Sequence, residues 1–172
     1  MKKKVKSKFK VNELVYCRGQ GVGTIQKRKK LKFDFSWEEF YQVSFEKKEY
    51  KVGVPVRLEN NMEIRELIST EDAESLLKSL QDGLPARKLK GPWHKQVKEL
   101  NSLLNSSNPR DLIDVIKALT IKVKNAKITF EENKILKKAK HLVASEIAYV
   151  KGENAPFIES KIDEILLVNI NN

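Results

Sequence analysis

The residues able to do covalent or metal chemistry are few and scattered in this chain. Its two histidines, His94 and His141, stand in separate helical segments beside lysines, outside any spaced cluster of carboxylates or cysteines. Residues so placed are more often surface side chains of a basic protein than ligands or general bases. Cys17 is the single cysteine; it falls in a strand pattern, where a free thiol behaves as a small apolar side chain. The run Gly19-Gln20-Gly21-Val22-Gly23-Thr24 has the composition of a phosphate-binding loop but not its context. A dinucleotide fingerprint needs a following helix and a P-loop needs Gly-Lys-Ser/Thr, whereas strand-forming residues follow here, so a tight turn is the simpler reading. Neither enzyme activity nor a cofactor nor a metal is expected. What remains is recognition. Trp93, Lys95 and Lys98 share the start of one helical pattern, where an aromatic ring, two cations and backbone N–H groups come together. The competing reading is that Trp93 tops an apolar stripe and is buried, and from periodicity alone that reading is the stronger. Lys134, Lys137, Lys138 and Lys140 are equally compatible with a solvated face and with phosphate contact.

The charge balance says what such a surface would face. The 172 residues carry 34 Lys+Arg against 23 Asp+Glu, a formal charge of +11. At 40% hydrophobic residues the chain can bury a core, so it is not a disordered polycation. The charge is uneven: +8 over residues 1–69, neutral over 70–90, +5 over 91–150 and −2 over 151–172. A strongly basic protein suggests a polyanion, with nucleic acid the leading candidate. An anionic membrane surface or an acidic protein comes behind it, and no membrane partner is the expectation; Ile165-Leu166-Leu167-Val168 is far short of the roughly 20 apolar residues that cross a bilayer, so a membrane span is excluded. The basic start MKKKVKSKFKV leads into no apolar stretch, which argues against a secretory leader. One cysteine excludes an internal disulfide framework and fits a reducing cytosol.

Two kinds of element must position these residues. Over the first 69 residues apolar positions recur with period two. Phe9, Val11 and Val15 set one face, Val22 to Gln26 returns after a turn, and Phe40 to Phe45 and Tyr50 to Val54 follow. Glu63 to Ile68 supplies a fifth strand. Lys27 to Trp37 reads as a long hairpin end. From Ser69 the period becomes helical. Ser69 caps a helix bearing Ala73, Leu76, Leu77 and Leu80 that stops at Asp82-Gly83, and Leu84 to Gly91 connects two modules. Pro92 sits at the first position of a helix with Trp93, Val97, Leu100 and Leu104. Asn108-Pro109 opens one with Leu112, Ile113, Ile116, Leu119 and Val123. Thr129 and Glu132 form a capping box for a long helix with Ile135, Leu136, Ala139, Leu142, Val143 and Ile147, ending near Gly152. A last amphipathic segment, Phe157 to Val168, is free to dock on this bundle or elsewhere. The expected organisation is a small β-barrel or strongly bent sheet, then a helical bundle.

Four motifs, in order, resemble the CarD family of bacterial RNA polymerase-binding transcription regulators. The stretch from Phe9 to Ile25 is similar, without a gap, to the family opening Phe-Lys-Val-Gly-Asp-x-Val-Val-Tyr-Pro-x-His-Gly-Val-Gly-x-Ile. Tyr50-Lys51-Val52-Gly53-Val54-Pro55 resembles its late strand, and Gly91 to Lys98 its Trp-centred helix start. Phe130 to Ala148 resembles its long Lys-rich helix ending in Ser-Glu-Ile-Ala. The resemblance covers about residues 9–150 and implies an α+β protein. It would have a Tudor-like polymerase-interacting barrel over 1–69 with a basic extension at 1–8, a short helix and linker over 70–91, and a helical DNA-contacting domain over 92–172. It further implies docking on the polymerase β subunit by strand pairing, through Lys51, Val52, Gly53 and Val54, with Arg57 nearby. Trp93 would wedge into the minor groove of promoter DNA at the upstream edge of the transcription bubble, without sequence specificity. Lys95, Lys98, Lys134 and Lys138 would hold phosphates. Such a protein works as a monomer in the cytoplasm, on the nucleoid. This chain departs from the pattern in three places. Gly53 stands where members often carry an arginine, Cys17-Arg18 replaces Tyr-Pro, and the segment Lys27 to Glu39 is longer and more basic than usual. Lys51 or Arg57 is then the candidate to compensate for Gly53. The reading from a different class is a free-standing DNA- or RNA-binding protein that needs no polymerase and binds bare duplex with a steep salt dependence.

Overall fold

The computed structural model describes residues 8–33, 35–46, 48–57, 63–82, 89–125 and 128–171, with the backbone alone at positions 33 and 171. The basic extension up to residue 7, the stop at Gly83 and most of the connection from Leu84 lie outside the described residues. Two compact units divide the chain, residues 1–67 and 68–172.

The first unit is an antiparallel sheet of β1 (Leu14–Cys17), β2 (Gly21–Phe33), β3 (Ser36–Phe45), β4 (Lys48–Pro55) and β5 (Ile64–Arg65). The strand order is β4-β3-β2-β1-β5, so β4 and β5 are the outer strands. Both nevertheless feed one core. Val54 from β4 and Ile64 from β5 lie in the same cluster as Phe9, Val15, Ile25, Tyr41 and Val43. The sheet must therefore curl around that cluster, which is how a short sheet excludes water from a single apolar face. Phe9 meets Tyr41 edge to face at 6.0 Å, and its N–H donates to Tyr41 Oη.

The expected face Phe9, Val11, Val15 is interrupted. Asn12 adopts a left-handed conformation (φ 68°) and its N–H donates to Ile25 O at 2.7 Å, so the chain turns at residues 11–12 and leaves Val11 exposed. Asparagine tolerates that conformation better than a branched residue. The glycine run is a turn into a strand: Gly19 and Gly21 have positive φ, and β2 begins at Gly21. Gly23 answers a different need. A Cβ there would come within 2.6 Å of Val43 Cγ1 and 2.8 Å of Ser44 O. Because one obstacle is backbone, Gly23→Ala is expected to destabilise the sheet unit by about 2 kcal/mol, read from thermal or denaturant unfolding. Cys17, opposite Gly21 in the ladder, is buried, and burial first and Glu63 second push its thiol up to about 11, which keeps it protonated at neutral pH. The hairpin expected at Lys27 to Trp37 is mostly strand, since the β2–β3 ladder continues out to Phe33 opposite Ser36.

The second unit holds α1 (Thr70–Gln81), α2 (Trp93–Leu104), α3 (Pro109–Asn125), α4 (Phe130–Lys151) and α5 (Ala155–Asn171). The caps explain the starts. Ser69 Oγ accepts from Asp72 N at 3.0 Å, Asn108 Oδ1 from Arg110 N at 3.1 Å, and Thr129 with Glu132 closes a reciprocal capping box. Pro92 is the N-cap of α2, one position before the first helical residue expected for it. Gly152 ends α4 in the left-handed conformation that glycine adopts without Cβ strain. α4 packs against each of the other four helices. Its apolar stripe Ile135, Leu136, Ala139, Leu142, Val143 and Ile147 is buried as its spacing requires.

The unassigned last segment docks on this bundle. Ile158, Ile162 and Leu166 of α5 are buried, Lys140 Nζ meets Asp163 Oδ1 at 2.6 Å, and Asn169 Nδ2 donates to the Leu80 carbonyl at the end of α1. α1 is likewise built in. Lys117 Nζ donates to Ser79 Oγ across α3 and α1, and the fully buried Glu146 of α4 accepts from Ile68 N just ahead of α1. No helix of the described residues is long and apolar enough to cross a membrane.

Candidate nucleic-acid interface

One end of the helical unit collects the residues that carry recognition chemistry. Glu132, in the first turn of α4, is fully buried and takes an ammonium hydrogen from Lys122 of the last turn of α3. Its other oxygen accepts from Thr129 N at 2.8 Å and Thr129 Oγ1 at 3.0 Å. The same Lys122 Nζ lies 3.5 Å from Gln96 Oε1 in the first turn of α2, and Gln96 Nε2 donates back to Gly91 O at 2.7 Å. Burial alone would raise the Glu132 carboxyl, but the bonds from Lys122 and Thr129 outweigh it and hold the group below the usual carboxylate range. This network ties the beginnings of α2 and α4 to the end of α3.

Two helix N-termini, with their partial positive charge, therefore share one end of the unit. Pro92 offers no capping side chain to α2, and α2 has no acidic residue in its first turn to offset that charge. Trp93 opens α2 with 49% of its surface exposed, so the buried-stripe reading fails at this position although Leu100 and Leu104 further along are buried. The stripe is exposed in the first turn of α2 and reaches the core only from Leu100 onward. Lys95 and Lys98 are exposed on α2. Lys134 and Lys138 are exposed on α4, one turn apart, and Lys134 Nζ lies 5.9 Å from the Phe130 ring.

Phe130 is the residue that sequence reasoning missed. It is 80% exposed at the first position of α4, level with the network that also fixes Gln96 beside Trp93. Its signal was present in the register. Phe130, Lys134, Lys137, Lys138 and His141 fall on one helical face, opposite the apolar stripe, and a large aromatic ring there has no core to enter. His141 itself is engaged by Glu159 of α5 at 2.6 Å.

The residues expected at a protein partner lie together on the outer strand β4. Val52 and Val54 turn toward the sheet core, opposite Val43 and Tyr41, so they offer a neighbour their main chain. Lys51 and Gly53 are exposed. A Cβ at Gly53 would approach only Phe40 Cδ1, at an ordinary 3.8 Å, so the position accepts a side chain. Arg57 lies just past the strand, its Nε 3.1 Å from Glu38 Oε2.

A curled antiparallel sheet with β4 as an outer strand in one unit, and five helices in the other with exposed aromatic rings and cations on α2 and α4, make an α+β protein. A family model described as CarD, C-terminal domain, matches residues 75–163, and the chain belongs to the CarD family, a family of transcription-related proteins. No curated protein matches the chain.

Proposed function

We propose that this protein binds RNA polymerase through the β4 edge and stabilises the open promoter complex by inserting Trp93 at the upstream edge of the melted DNA. The observation that carries the reading is the exposure of Trp93 at the start of α2, with Lys95 and Lys98 on the same helix and Phe130 and Lys134 at the start of α4, which the Lys122 network ties to it. On this reading β4 pairs with a strand of the polymerase β subunit, a mode that uses main-chain hydrogen bonds and little side-chain identity. The cations hold phosphates and set the depth of the ring, which occupies the minor groove where re-annealing bases would stack. No bond is made or broken, and no cofactor takes part. The protein shifts closed and open promoter complexes only by the difference in its affinity for the two. It acts as a monomer without sequence specificity, on the nucleoid.

The test is the lifetime of open complexes formed by purified polymerase, with capture of the β subunit by the tagged protein. A longer lifetime and capture of β are expected. Absence of both, with tight and steeply salt-dependent binding to bare duplex, would assign a free-standing nucleic-acid binder instead. Gly53→Arg probes the docking strand, since it puts an arginine where family members often have one. Affinity for polymerase should rise about two- to fivefold, the scale of one surface ion pair, in a surface-immobilised binding assay. An unchanged or lower affinity would move the partner away from β4.

A further inference from the structure

The β2–β3 ribbon is a second cationic and aromatic surface that the proposed docking leaves unused. Its ladder sets Lys30 opposite Glu39, Lys32 opposite Trp37 and Phe33 opposite Ser36. Directly opposed residues share a face, as do residues two apart on a strand, so Lys30, Lys32, Trp37 and Glu39 stand on one side of the ribbon. This is the face that carries Tyr41 in the sheet core, opposite Arg28, one ladder step further in. Beyond Tyr41 the ribbon outruns the core. Five residue steps lead from Tyr41 to Ser36, an extension of about 17 Å at strand spacing. Trp37 is 68% exposed there, and Phe35 at the tip is fully exposed. On the opposite side Glu38 of β3 is paired with Arg57.

We propose that this ribbon face is a binding site for single-stranded nucleic acid. An isolated cationic strand would fit any polyanion, but an indole held open in register with an ammonium group fits a strand whose bases are unpaired. The base covers the ring and the adjacent phosphate meets Lys30 and Lys32. Paired bases keep their faces stacked inside a duplex, and an acidic protein does not set a flat ring beside each of its charges as a nucleotide does. Glu39 stands opposite Lys30 and lowers the net charge of the face, which favours a short contact of one or two nucleotides over long coating. The site lies in the sheet unit and needs neither polymerase nor Trp93.

The experiment is fluorescence anisotropy of the full-length chain with a labelled oligothymidylate, with no polymerase present, competed by unlabelled duplex. Trp37→Ala should weaken oligothymidylate binding about tenfold, the range set by loss of one base–aromatic stack. The Lys30→Glu/Lys32→Glu variant should weaken it further and flatten its salt dependence. Both variants leave the helix-end residues in place, so the loss they cause is the ribbon's own. The substituted positions are solvent-exposed, so unchanged thermal unfolding of each variant verifies that the fold is intact. The proposal is overturned if Trp37→Ala and the lysine variant bind oligothymidylate like the parent. It is equally overturned if duplex competes better than the single strand.

Discussion

Trp93→Ala is expected to leave polymerase binding intact and to shorten the open-complex lifetime about tenfold or more, toward that of polymerase alone. The expectation follows from where the ring sits. Trp93 contributes little to the bundle, because it stands at the first residue of α2 with half its surface in water while Leu100 and Leu104 carry the packing. Truncation should therefore cost about 1 kcal/mol or less in stability. Removal of a wedge acts only on the state in which the wedge is inserted. The variant must then change the lifetime without changing the affinity of β4 for its partner, and dissociation kinetics of preformed complexes challenged with competitor DNA will show it. A variant that lengthens the lifetime as the parent does would end the wedge mechanism. Phe130→Ala extends the same logic to the second ring, whose position on the same network predicts a smaller loss of the same sign.

The largest stability effect is expected at Glu132. Glu132→Ala removes the carboxylate that Lys122 and Thr129 both use, and so undoes a capping box and a charged hydrogen bond together. A cap is worth about 1 kcal/mol and a hydrogen bond to a charged group about 2, so the helical unit should lose about 3 kcal/mol and on the order of 10–15 °C in Tm. Lys122 would keep only its long contact with Gln96, and the start of α2 would lose an anchor. Glu132→Gln retains an acceptor and should lose about half as much. The pH dependence distinguishes charge from shape. The carboxyl sits below its usual range in the folded protein, so its contribution is complete above the ordinary value near 4.5 and fades as the pH falls through the lower folded value. The stability gap between parent and Glu132→Gln should narrow as the pH falls below about 4.5. A gap independent of pH would mean that the glutamate acts through packing alone.

Much of this molecule can be read from its residues, and the exceptions have physical causes. The Ser69, Asn108 and Thr129 caps and the Gly152 stop follow from local chemistry that no distant contact overrides. The stripe on α4 is buried as spaced because that helix is central to its unit. Periodicity fails where an element outruns its neighbours. Trp93 keeps the spacing of a core residue and is exposed, and so is Val123 near the other end of the same logic on α3, since spacing states which face a residue is on and not whether anything covers it. The β2–β3 ribbon is the same case in a sheet, with five cations between Lys27 and Lys32 reading as a loop although the ladder runs through them. The network of Glu132, Lys122 and Gln96 joins three helices and is invisible to any rule of local spacing. For that reason the common end of α2 and α4 had no signature in either segment alone, although the register of α4 already set Phe130 opposite its apolar stripe.

The open strand β4 bears on self-recognition. An unpaired edge is a template for any extended chain, the protein's own copies included. Two β4 strands meeting antiparallel about their midpoint would bring Lys51 of each copy to neighbouring positions, while Lys48 is already drawn inward onto Gln20 and the rings of Phe45 and Tyr50. Like charges so placed oppose the pairing. A partner strand without a cation at that position meets no such opposition, so one exposed lysine discriminates between a foreign strand and aggregation with itself.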